Sequence, residues 1–137
     1  MINKVTLIGR LGINPEGRAL DSGAFTCKFR LATDESYKKK GSDEWTNLTE
    51  WHNIIIWGAN AERAEKNLKK GDLVYIEGKL STSTWKDDTD RDCYKTEIKV
   101  SYYRFLANKK SNGNNEEAAL AAENNSSNAN VPDELPF

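Results

Sequence analysis

A two-residue alternation constrains this chain more than any other feature. Phe25, Cys27, Phe29 and Leu31 interleave with Thr26, Lys28 and Arg30, and successive side chains of an extended chain point to opposite faces. The pattern predicts a strand with an apolar inner face and a basic outer face. Further strands are expected over residues 5–11, 49–57, 73–84 and 95–106, punctuated by Gly12-Ile13-Asn14-Pro15, Gly41, Gly58 and Gly71. One segment has helical spacing instead. Ala61, Ala64 and Leu68 share a face, Glu62 with Lys66 and Glu65 with Lys69 stand four apart, Asn60 is placed to cap the start and Gly71 to close the end.

Five strands with a short helix between the third and fourth form the pattern of an OB-fold, an all-β Greek-key barrel that offers one outer face to oligonucleotides. A small β-sandwich fits the alternation too, so pattern alone leaves both open. The expected domain is residues 1–107, close to the usual single-domain size. From residue 108 the composition changes to Asn, Ser, Ala and Glu, with hardly a large apolar residue before Leu135 and Phe137. Such a segment cannot bury enough surface to offset its ordering entropy, so residues 108–137 are expected to be a disordered acidic tail. Its end, Asp133-Glu134-Leu135-Pro136-Phe137, has the form of a short acidic peptide that docks into a basic, apolar-floored pocket of a partner protein.

Charge divides along the same boundary. Lys109 and Lys110 stand against Glu116, Glu117, Glu123, Asp133 and Glu134, so the tail is net -3 and, with -1 overall, the body is +2. That excess is too weak to establish a nucleic-acid partner by itself; the placement of the charges has to decide. No apolar run approaches the length of a membrane span and the N-terminus has no long apolar stretch, so no membrane and a cytoplasmic location are expected. Cys27 and Cys93, with His52 as the single histidine, cannot complete a four-ligand zinc site, and both are read as reduced thiols.

The aromatic residues narrow the function. In Trp51-His52-Asn53-Ile54-Ile55-Ile56-Trp57 the even positions suit a barrel interior, which turns Trp51 and Trp57 outward, where unpartnered indoles are costly. Tyr37 runs into Lys38, Lys39 and Lys40, and Trp85 precedes Lys86. Rings interleaved with cations suit a single nucleic-acid strand, whose bases stack while its phosphates are neutralised. Trp45, in the same hairpin as the lysine run, has a simpler role open to it in pinning that loop. His52, inward by parity, reads as structural or as a subunit contact.

At this level of detail the chain resembles a known family. Asn3-Lys4-Val5, Leu7-Ile8-Gly9-Arg10-Leu11-Gly12, Asn14-Pro15-Glu16, Leu31-Ala32-Thr33, Thr49-Glu50-Trp51-His52, Lys70-Gly71-Asp72 and Val74-Tyr75-Ile76-Glu77-Gly78 are similar, in order, to the bacterial-type single-stranded-DNA-binding proteins. The tip 133–137 resembles that family's acidic C-terminal peptide. The resemblance implies a homotetramer of OB-folds that coats single-stranded DNA without strong sequence preference. It also implies a tail that recruits replication, recombination and repair proteins, in the nucleoid or in a phage-infected cell. By position, Trp51, Trp57 and Trp85 match the family's base-stacking aromatics, with Trp57 where Phe is usual, and Tyr37 matches a fourth that is often Trp. Lys28, Arg30, Lys38, Lys39, Lys40, Lys70, Lys79 and Lys86 are the cations expected at phosphates. The departure is Ser81-Thr82-Ser83-Thr84, where relatives often carry basic residues.

Catalysis is the weaker alternative. Asp87-Asp88-Thr89-Asp90-Arg91-Asp92 gathers carboxylates, but a calcium loop begun at Asp88 would place Cys93 where Gly is needed and Lys99 where Glu is needed. A solvated turn accounts for the cluster, and neither metal nor cofactor is expected. A protein-binding adaptor, using the same aromatics as an interface, is the other alternative.

Overall fold

The computed structural model describes residues 1–109. The expectations for the rest of the tail, including the docking peptide 133–137, lie outside the described residues. The elements run β1 (Val5–Leu11), β2 (Glu16–Ala19), β3 (Phe25–Lys38), β4 (Trp45–Trp57), α1 (Ala59–Asn67), β5 (Leu73–Lys86) and β6 (Asp92–Ala107).

Five of the strands close into a barrel in the order β1-β5-β6-β4-β3, with β1 returning to β3 through Arg10↔Ala32 and Leu11↔Leu31. All neighbours are antiparallel except β4 and β6, which run parallel at Ile54↔Ile98 and Ile55↔Lys99. This is the OB-fold, with the helix between the third and fourth barrel strands as the pattern required. Alternation fills the interior as expected: Cys27, Phe29 and Leu31 of β3 meet Ile54 and Ile56 of β4 and Val74 and Ile76 of β5, all buried. At about 25 cal/mol per Å² of apolar surface removed from water, this cluster is the main stabilising contribution of the fold. Ala61, Ala64 and Leu68 are also buried, so the helix closes the barrel with its small-residue face as the spacing predicted.

Local expectations at one edge strand, at both ends of the helix and at three strand ends need correction. There is a sixth strand: β2 pairs with β3 from Glu16↔Lys28 to Ala19↔Phe25. Its sequence, Glu-Gly-Arg-Ala, has no apolar alternation because it rides on the edge of β3 rather than facing the core. The helix is capped by Gly58 at φ 75°, a conformation glycine adopts without strain, and Asn60 lies inside the first turn instead. The last helical carbonyl bond comes from the Leu68 amide, and Gly71, at φ 91°, belongs to the turn that follows. Three strand ends were also placed short. β4 begins at Trp45, β5 reaches Lys86 and β6 begins at Asp92, because the β3–β4 and β5–β6 hairpins continue beyond the barrel where no core demands apolar residues.

Candidate nucleic-acid interface

The β3–β4 ladder runs without a break from Thr26↔Trp57 to Lys38↔Trp45. That register puts Trp57, Ile55, Asn53, Trp51 and Trp45 on one face, opposite Thr26, Lys28, Arg30, Ala32 and Lys38. This is the outside of the barrel. Trp51 is 47 % exposed and Trp57 41 %, although both are large enough to stabilise a core if they faced it. The parity argument for outward indoles is borne out by this geometry.

Three of the exposed indoles, Trp45, Trp51 and Trp57, have a cation on them. The Arg30 guanidinium lies 4.9 Å from the centre of the Trp51 ring, the Lys99 ammonium 5.4 Å from that of Trp57, and the Lys38 ammonium 5.0 Å from that of Trp45. Cations at these distances are attracted to the ring quadrupole and hold the ring from one side. Trp51 also rests on the β1–β2 loop, where a Cβ at Gly12 would come within 2.2 Å of its ring, so only glycine leaves the indole this seat. Lys70 is tied to the same loop, its amide donating to Asn14 Oδ1 at 2.8 Å.

The face continues across β6 onto β5. Lys99, Glu97 and Lys95 stand opposite Lys79, Ser81 and Ser83, and Trp85, 49 % exposed, stands opposite Cys93 on the same side of that hairpin. Trp51, Trp57 and Trp85 therefore share one outer surface, together with Lys28, Arg30, Lys38 and Lys79. The other expected site residues are placed differently. Tyr37 is 45 % exposed, but alternation puts it on the reverse of the β3–β4 arm from Trp45 and Trp51. Lys39 and Lys40 lie in the turn at the tip of that arm, and Lys86 lies at the tip of the β5–β6 arm, 3.6 Å from Asp90.

Sequence reasoning missed Lys95, Lys99 and Trp45 as members of this surface. The period-two spacing of Lys95, Glu97 and Lys99 was visible, but its meaning depends on the parallel β4–β6 pairing, which no local pattern announces. The β2 strand matters here as well: with Arg18, Leu20, Thr26, Lys28 and Ile55 it encloses a depression of about 460 Å³ beside Trp57.

The acidic cluster is a turn. Asp87 Oδ1 accepts the amides of Thr89 and Arg91, each at 2.9 Å, and the Thr89 hydroxyl at 2.8 Å. These bonds, led by the Arg91 amide, hold its carboxyl below the usual range. His52 faces inward as expected, with Nε2 2.9 Å from Thr33 Oγ1.

Comparison with known proteins agrees with this geometry. Residues 2–106 match the Single-strand binding protein family. Among solved structures the chain is similar to a Plasmodium falciparum SSB in complex with ssDNA, at 34 % identity and a TM-score of 0.69, over 78 % of this chain and 97 % of that one.

Proposed function

This chain belongs to the single-strand binding protein family, and we propose that it coats single-stranded DNA with the outer face of β3, β4, β6 and β5, without catalysing a reaction. The observation that carries this reading is the pair of exposed indoles on β4, Trp51 and Trp57, each backed by a cation. A base stacked on such a ring is worth about 1–3 kcal/mol whatever its identity, so the surface grips a strand without reading its sequence. Arg30, Lys28, Lys38 and Lys79 flank the rings and follow the phosphates. Trp85 extends the path along the β5–β6 arm. Tyr37, with Lys39 and Lys40, serves a strand that passes around the tip of the β3–β4 arm to its other side.

The finer parts of the proposal rest on other features. Assembly as a homotetramer is supported by the exposed ring of Tyr102 on β6 and by Tyr75 of β5, whose ring meets it edge-on at 6.2 Å. Service in replication, recombination and repair, in the cytoplasm, with partners recruited through Asp133-Glu134-Leu135-Pro136-Phe137, rests on the family and on the sequence of that tip. Among the described residues no helix is long and apolar enough to cross a membrane.

Titration with oligo-dT followed by tryptophan fluorescence tests the central reading. Stacking on Trp51 and Trp57 quenches their emission, and an unchanged spectrum at saturating oligonucleotide would remove the stacking surface from the proposal. For the tip, a chain ending at Pro136 should lose capture of partner enzymes and keep DNA binding. Sedimentation should return the mass of four chains.

A further inference from the structure

Between Trp51 and Trp57 the outer face is crossed by an ion cluster of one carboxylate and two lysines. Glu97 precedes Ile98, the parallel partner of Ile54, and so lies beside Asn53 in the middle of the face. Its Oε2 is 3.6 Å from the Lys28 ammonium of β3 and 3.6 Å from the Lys95 ammonium of β6. The two lysines come from strands on either side of β4, so they meet over it. The Glu97 side chain is only 13 % exposed, whereas those of Lys28 and Lys95 are 50 % and 44 % exposed. The carboxylate is fixed at the floor and the ammonium groups are free to swing. With Arg30 and Asn53 the three residues line a depression of about 190 Å³.

We propose that Glu97 is a built-in anion that competes with DNA phosphate for Lys28 and Lys95 and so sets the strength and salt dependence of single-strand binding. The inference rests on the reading of this face as the strand's path. Trp51 and Trp57 are six residues apart, about 20 Å along β4 at roughly 3.3 Å per residue, so a strand stacked on both must cross the cluster. Its phosphates then meet two lysines already shared with a carboxylate. Pairs between half-exposed lysines and a carboxylate are weak and salt-screened, so phosphate can take the lysines over, but the fixed negative charge stays beneath them. The cluster thus offers a net charge of one where the lysines alone would offer two. Weakened grip at the centre of the path leaves the stacking rings to set affinity.

Glu97→Gln keeps the shape and removes the charge. It should bind oligo-dT about five- to tenfold more tightly at about 0.05 M salt, with the slope of log K against log salt steeper by about 0.7, the value of one further neutralised phosphate. The gain should shrink as salt rises, and it should vanish when Lys28→Met and Lys95→Met are also present. Equal or weaker binding by a folded Glu97→Gln protein, or tightening that persists without the two lysines, would overturn the proposal. Glu97→Thr, neutral and well suited to a strand, carries the same expectations should the glutamine variant not fold. Trp51→Ala in the same assay reports on the face itself: if it weakens binding while Glu97→Gln changes nothing, the competition is wrong and the stacking path stands.

Discussion

The β3–β4 hairpin divides into two regions that share a ladder and little else. From Thr26↔Trp57 to Ala32↔Trp51 it is barrel wall, with Cys27, Phe29, Leu31, Ile54 and Ile56 buried. From Thr33↔Glu50 to Lys38↔Trp45 it is a free arm in which no residue is buried. The wall is held by burial. The arm is held by its backbone ladder and by cross-strand bonds such as Ser36 to Asn47 at 2.7 Å and Thr49 to Asp34 at 2.6 Å. The β5–β6 hairpin repeats the division, with Val74 and Ile76 in the core and the Thr82–Thr96 hydroxyl pair at 2.9 Å on the arm. The contrast shows where a small barrel can place function. Rings that face away from the core, on the wall as at Trp51 and on the arms as at Trp85, remain available to a ligand because stability is supplied by the other side of the strand.

If that division holds, substitutions should separate cleanly, and the largest effect belongs to the wall. Ile54→Ala, at a position 1 % exposed, should cost about 2–5 kcal/mol in urea unfolding; a loss below about 1 kcal/mol would mean the wall is not what holds the fold. Alkaline pH attacks the same region through Cys27, whose thiol is pushed from 9.0 to about 11 by burial, with Glu65 adding to the shift. Because the folded state keeps this proton after the unfolded chain has lost it, the stabilisation is complete below about 9 and is lost as pH rises through about 11. At about 1.4 kcal/mol per unit the loss attributable to Cys27 is about 2–3 kcal/mol. Tyr75, bonded to Glu77, and Tyr103, partly buried, are also raised and lose stability in the same direction. Comparison with Cys27→Ala isolates the thiol: the variant should show a shallower fall over that window, and identical slopes would deny the thiol its role.

Trp51→Ala should do the reverse of Ile54→Ala, weakening oligo-dT binding by about 1–3 kcal/mol in calorimetry with little change in unfolding. Loss of the fold instead would make Trp51 part of the wall. The smallest effect is expected on the arm. Thr82→Ala removes one exposed hydroxyl pair and should change unfolding by no more than about 0.5 kcal/mol. A cost above about 2 kcal/mol would show the arms to be part of the cooperative unit that the barrel forms.

Much of this was legible in the chain. Alternation in Phe25 to Leu31 and in Trp51 to Trp57 specified which side of each strand would be buried, because a period of two follows from strand geometry alone. The helix face of Ala61, Ala64 and Leu68 was legible for the corresponding reason. What alternation could not supply was neighbourhood. The edge strand β2 carries no apolar signature, since its partner is a ladder and not a core. The reverse placement of Tyr37 follows from a register unbroken over thirteen residue pairs, which only the folded hairpin displays. The parallel contact of β4 with β6 brings Lys99 to Trp57 and sets Glu97 between Lys28 and Lys95, although in sequence Lys28 stands 69 positions from Glu97 and 67 from Lys95. Those meetings are decided by barrel closure, which pairs strands by how the whole apolar surface is buried. The sequence by itself therefore determined which faces exist, and the tertiary structure decided which faces join into one surface.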